Sequence, residues 1–75
     1  MRITIESTEK IVELNGVPAR VWEGESESGI PVICFVTRIM VPETERIDHS
    51  EFQRELSEQR PPSAEVKAIP LRLIL

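Results

Sequence analysis

Asn15-Gly16 constrains this chain more than any other pair of residues. A two-residue type I′ turn needs positive φ at both central positions, and Asn followed by Gly meets that demand at the lowest steric cost. Apolar residues alternate with polar ones on both sides, so Lys10 to Leu14 is expected to pair antiparallel with Val17 to Glu23. Pro18 has no N–H for a ladder, which places the start of the second strand at an edge or a bulge. Upstream, Ile3 and Ile5 alternate with Arg2, Thr4 and Glu6 until Ser7-Thr8-Glu9 interrupts the period, leaving room for an extra first strand.

The polar link Glu25-Ser26-Glu27-Ser28-Gly29 leads into Ile30 to Val41, the most apolar segment and one rich in β-branched residues. It reads as the central strand. Val32, Cys34, Val36, Arg38 and Met40 take one face and Ile33, Phe35, Thr37, Ile39 and Val41 the other. One of these apolar faces is expected to meet a helix, the other a second layer or another subunit. Arg38 then needs an acid, for which Glu13 and Glu23 are the candidates.

After Pro42, Asp48 as N-cap puts Glu51 at N3, with Ile47 and Phe52 placed for a hydrophobic staple. A helix from His49 to about Gln59 follows, with Phe52 and Leu56 as a narrow buried stripe and Glu51, Glu55 and Glu58 on a solvent face. Arg60-Pro61-Pro62 stops it. Ser63 to Ala68 is either one further helical turn capped by Ser63 or an extended stretch. Leu71 to Leu75 reads as a terminal strand, buried in the sheet or in a homodimer contact, since an exposed tail of that kind is a sticky edge. The expectation is an α+β fold in one domain spanning residues 1–75: a small antiparallel sheet, order β-β-β-α-β, with one helix packed on one face.

With 75 residues, there is room for one core. One Cys, one His and no Tyr leave no Cys/His zinc site, no intrachain disulfide and little catalytic inventory. His49 reads as a first-turn helix residue and Cys34 as core packing. No catalytic residue, metal ligand or cofactor is assigned, and no enzyme activity is expected. No apolar run approaches the ~20 residues of a membrane span, and the alternating start does not resemble a signal peptide, so a cytoplasmic protein is expected.

The formal charge is −4, with 13 acids against 9 bases, which argues against direct affinity for nucleic acid. The acids are segregated. Glu6 to Glu27 holds six against Lys10 and Arg20; Glu43 to Glu58 again holds six against Arg46 and Arg54; the remainder is basic. Glu23, Glu25 and Glu27 recur at period two, so on an extended segment their carboxylates line up about 6.5–7 Å apart. Together with Glu43, Glu45, Glu51, Glu55 and Glu58 they either present fixed negative charge to a basic groove or form a solvated surface. Arg20 and Trp22 share a face opposite Ala19 and Val21. They form either an interface hot spot or a Trp packed in the core under a covering Arg.

Val17-Pro18-Ala19-Arg20-Val21-Trp22-Glu23-Gly24 and the ending Ala68-Ile69-Pro70-Leu71-Arg72-Leu73-Ile74-Leu75 resemble small proteins carried by bacteriophages and prophages. In style the chain is similar to the phage-encoded anti-CRISPRs, which share no motif, so no residue role carries over. The resemblance implies a non-enzymatic inhibitor in the host bacterial cytoplasm, whose partner is a protein such as a CRISPR effector or other defence complex. The alternative is a structural or assembly module acting as a homo-oligomer.

Overall fold

The computed structural model describes residues 1–43 and 48–75. The fold grows from the turn at Asn15-Gly16, where φ is 50° and 84°, as a type I′ hairpin requires. It joins β1 (Ile3–Leu14) to β2 (Val17–Ser26) in an antiparallel ladder that starts at Leu14↔Val17. In such a hairpin the closing pair is hydrogen-bonded and the next is not. Pro18, opposite Glu13, therefore turns its missing donor away from β1, where β3 no longer runs.

Ser7-Thr8-Glu9 interrupts the period without ending the strand. The register steps from Ser7↔Trp22 to Ile11↔Arg20, so Thr8, Glu9 and Lys10 together oppose the single residue Val21. This bulge leaves the Val21 carbonyl without a ladder partner, and the Thr8 hydroxyl donates to it at 2.6 Å. Thr8 is fully buried as a result. The two short strands expected before Asn15 are thus one long, bent strand. Near its far end Gly24 lies so close to β1 that a Cβ would collide with the Thr4 carbonyl oxygen and the Ile5 Cα.

β3 (Pro31–Val36) pairs antiparallel with β2 from Glu25↔Pro31 to Arg20↔Val36, and the sheet order is β3-β2-β1-β4. The apolar segment is therefore an edge strand and not the central one. It also ends five residues earlier than the run of apolar residues suggested, because its pairing with β2 stops at Arg20.

α1 (His49–Leu56) has Asp48 as N-cap, accepting from the Ser50 and Glu51 N–H groups. It stops at Ser57, short of the expected Gln59, where the hydroxyl of Ser57 donates to the Arg54 carbonyl. Ile47, the outer half of the expected staple, lies outside the described residues. α2 (Ala64–Lys67) is the extra turn, capped by the Ser63 hydroxyl at the Val66 N–H. β4 (Arg72–Leu73) then pairs with β1 inside the chain, at Glu13↔Arg72 and Leu14↔Leu73, but in parallel. The α+β class holds, and the sheet is mixed. The direction follows from the route: the chain leaves β3, passes through both helices and returns along β1 the same way β1 runs.

Residues directly opposite in a ladder share a face, so the register sorts the sheet. One face carries Val12, Ala19, Val21 and Phe35, which meet Val66 of α2. Val12, Ala19, Val21 and Val66 form the buried core, with Leu14, Phe35, Ile69 and Leu73 packed around it. The other carries Ile11, Arg20, Trp22 and Val36 and lies beneath α1. The helix with the stronger sequence signature has no buried residue, while the single turn α2 supplies one of the four core side chains. The radius of gyration is 13.9 Å, against about 11 Å for a close-packed chain of this length. The long β1 strand, 12 residues in extent, sets the 41 Å long axis of the molecule.

Candidate functional site

The chain crosses from one face of the sheet to the other at Arg60. Its backbone docks on the β1 bulge: the Arg60 N–H donates to the Ser7 carbonyl at 3.1 Å, and the Glu9 N–H donates to the Arg60 carbonyl at the same distance. These bonds use backbone groups on the outer edge of β1 and make a parallel bridge between Thr8 and Arg60. The Arg60 guanidinium reaches Glu23 at 3.2 Å and Glu6 at 3.8 Å. Glu23 also accepts from the Ser63 N–H at 2.9 Å, just ahead of α2.

Glu23 is thus an internal fastener. Its side chain is 11% exposed, and the bond from the Ser63 backbone, reinforced by Arg60, lowers its pKa below the ordinary glutamate value. The expected row Glu23, Glu25, Glu27 does not form. Glu25 remains an exposed strand residue, but β2 ends at Ser26, and Glu27 lies in the following turn. The period-two pattern held only as far as the strand did.

Between α1 and the second face lies an open groove of about 890 Å³. Its floor is Ile11, Arg20, Trp22 and Val36; Phe52 and Leu56 overhang it, and Glu6, Glu55 and Glu58 lie on its rim. Phe52 and Trp22 are half-buried, and Leu56 is 36% exposed, so the stripe expected to be buried is only partly covered. Arg20 is held in place by its Nη1, which donates to the Thr8 carbonyl at 2.9 Å. Ala19 and Val21 face the core, and Trp22, the core residue of the packing alternative, lies outside the core cluster.

The acids of α1 stand outward. Arg54 bridges Glu58 at 2.6 Å and Glu51 at 3.5 Å, and all three side chains are about 60% exposed. Such pairs contribute only about 0.3–0.5 kcal/mol each and order the side chains without burying their charge. Glu55 sits beside them on the groove rim. At the helix N-terminus, the Asp48 carboxylate is held below its ordinary pKa, first by the Ser50 hydroxyl and then by the Glu51 and Ser50 N–H groups. The Ser7 hydroxyl anchors the other end by donating to the Glu58 carbonyl at 2.9 Å. Glu43 is exposed, and Glu45 lies outside the described residues.

Neither partner expected for Arg38 is paired with it: Glu13 bonds Arg72 and Glu23 bonds Arg60. Cys34 is half-buried on the edge strand and outside the core cluster. His49 is an exposed first-turn residue of α1. Among the described residues no three His, Cys, Asp or Glu side chains gather as a metal site would require. No helix among them is long and apolar enough to cross a membrane. Arg60 is the residue the sequence reading passed over, since only the three-dimensional route of the chain brings it to Glu23. No family model, curated protein or solved structure matches this chain.

Proposed function

We propose that the protein is a non-enzymatic, cytoplasmic inhibitor of the anti-CRISPR kind, which docks an acidic ridge into a basic, nucleic-acid-binding surface of a defence complex and keeps target DNA out. The carrying observation is α1 itself. It displays Glu51 and Glu55, with Asp48 at its N-cap and Glu58 two residues past its end, around a single Arg54, on a helix with no buried residue. A helix that contributes so little to the core is free to be shaped by what it meets, and its carboxylates sit three and four residues apart along one exposed side. Exposed Glu25 and Glu27 extend the negative field at the opposite end of β2. Glu23 has no part in the docking surface, because Arg60 and Ser63 hold it.

Fixed acids act on a basic partner chiefly through encounter rate and register, so the complex should weaken as salt rises. The test is competition: purified CRISPR effector complexes are titrated with the protein in the presence of labelled target DNA. Displacement of DNA that falls with salt and is lost in the triple variant E51K/E55K/E58K is the expected result. Displacement that survives the triple reversal unchanged contradicts the ridge as the docking surface.

A further inference from the structure

The outer side of β3 is an open hydrogen-bonding edge whose composition is unlike the rest of the chain. From Gly29 to Thr37 there is no charged residue, in a protein that is 29% charged. Edge strands are ordinarily protected by Lys, Pro, bulges or inward charges; β3 carries only Pro31, at its first residue, and its register with β2 is unbroken. Among the described residues, β2 is the only strand paired with it.

The direction of each backbone group on β3 follows from the turn that precedes it. The Ser26 N–H donates to the Ile30 carbonyl at 2.8 Å, which makes Ser26 and Ile30 a hydrogen-bonded pair. Bonded and non-bonded pairs then alternate along the ladder. Val32, Cys34 and Val36 direct their N–H and C=O toward β2, while Ile33 and Phe35 direct theirs outward. Pro31 also faces outward, so its missing donor costs the β2 ladder nothing, and it offers the edge a carbonyl only.

We infer that β3 is a self-association edge, on which a second copy of this chain pairs β3 with β3 antiparallel about a two-fold axis at Cys34. A two-fold axis normal to the sheet keeps each side chain on its own face, so it must pass through a residue pair of like parity. An axis at Ile33 sets Pro31 opposite Phe35, where a donor is missing. An axis at Cys34 sets Ile33 opposite Phe35 of the second copy, twice, and satisfies both groups of all four residues. It also brings each Thr37 N–H toward a Pro31 carbonyl. The paired residues Pro31 to Thr37 are all uncharged, so no like charges sit directly opposite across the seam. Ile33, 41% exposed in the single chain, gains a cross-strand apolar neighbour.

This pairing places the two Cys34 residues in a non-hydrogen-bonded pair, with Cα atoms about 4.5 Å apart. That separation is within the range a disulfide spans, about 4.4–6.8 Å. The inference is independent of the acidic ridge on α1 and stands or falls without it.

Sedimentation of the reduced protein at about 100 μM, where a micromolar contact is filled, should give a dimer. Ile33→Lys should return it to monomer with its circular dichroism unchanged, and Ile74→Lys, on a side chain 93% exposed, should leave the dimer intact. Diamide should then link the wild-type dimer through Cys34: the two thiols give up two protons and two electrons, which reduce the diazene to the hydrazine. A monomer throughout overturns the inference, as does a dimer that Ile74→Lys dissolves and Ile33→Lys does not. A dimer that never cross-links overturns the two-fold register at Cys34.

Discussion

The two faces of one sheet are covered by two helices in opposite ways. α2 is a single turn, yet its Val66 is completely buried against Val12, Ala19 and Val21. α1 is twice as long, better capped and more amphipathic in sequence, yet none of its residues is fully buried and it overhangs a groove of about 890 Å³. The difference lies in attachment. α2 is drawn onto its face by the Glu23–Ser63 and Glu23–Arg60 contacts immediately before it, whereas the contacts at the C-terminal end of α1 are surface ones. Burial is decided by what brings an element to the sheet as much as by the element's own pattern. The α2 face holds the fold together, and the α1 face remains open.

The sharpest way to break this comparison is to place a charge on each face. Val66→Asp buries an unpaired carboxylate in a core of four side chains and should leave the chain unfolded at neutral pH. Leu56→Asp, on the half-exposed side of α1, should leave the β-sheet circular dichroism in place. Similar loss of structure in both variants would erase the distinction between the faces.

Thr8→Val tests the bulge that lets the chain change faces. It keeps the side-chain shape and leaves the buried Val21 carbonyl without a donor, so a loss of about 1–3 kcal/mol in denaturant stability is expected. A neutral result would mean that another group takes over that carbonyl.

Glu23→Gln is the smallest change and the one with a pH signature. The folded-state pKa of Glu23 is lowered, so its contribution is present above the ordinary value of 4.5 and is lost as pH falls through the lowered one. At pH 7 the variant should be less stable by about 1 kcal/mol, the order of one ordinary intramolecular hydrogen bond. From pH 4.5 downward the gap should shrink, and it should close below the lowered value. A gap that stays constant down to acid pH would remove Glu23 from the fastening of α2.

Much of the local structure was legible in the residues. Asn15-Gly16 has one favourable backbone solution, Asp48 and Ser63 are capping side chains at the right distance from their donors, and alternation put Ala19 and Val21 opposite Arg20 and Trp22. Features set between distant segments were not. The run from Ile30 shows that a strand is apolar on both faces but not how many neighbours it has, so β3 was expected at the centre and lies at the edge. Thr8 looked like a break, because only the geometry of β2 reveals a carbonyl waiting for its hydroxyl. Nothing in the sequence shows that Gly24 lies too close to Thr4 for any side chain. The acids at period two likewise gave no sign that Arg60, 37 positions along the chain, would take one of them out of the row.

Amide hydrogen exchange on the free protein tests the division between the faces most directly. The Lys67 and Ala68 N–H groups, bonded to Ser63 and Ala64, should exchange only through unfolding of the whole sheet, alongside β1 and β2. The Phe52 and Ser57 N–H groups of α1 should exchange faster, through local opening that leaves the sheet protected. Equal protection of the two helices, or a more protected α1, would contradict the account.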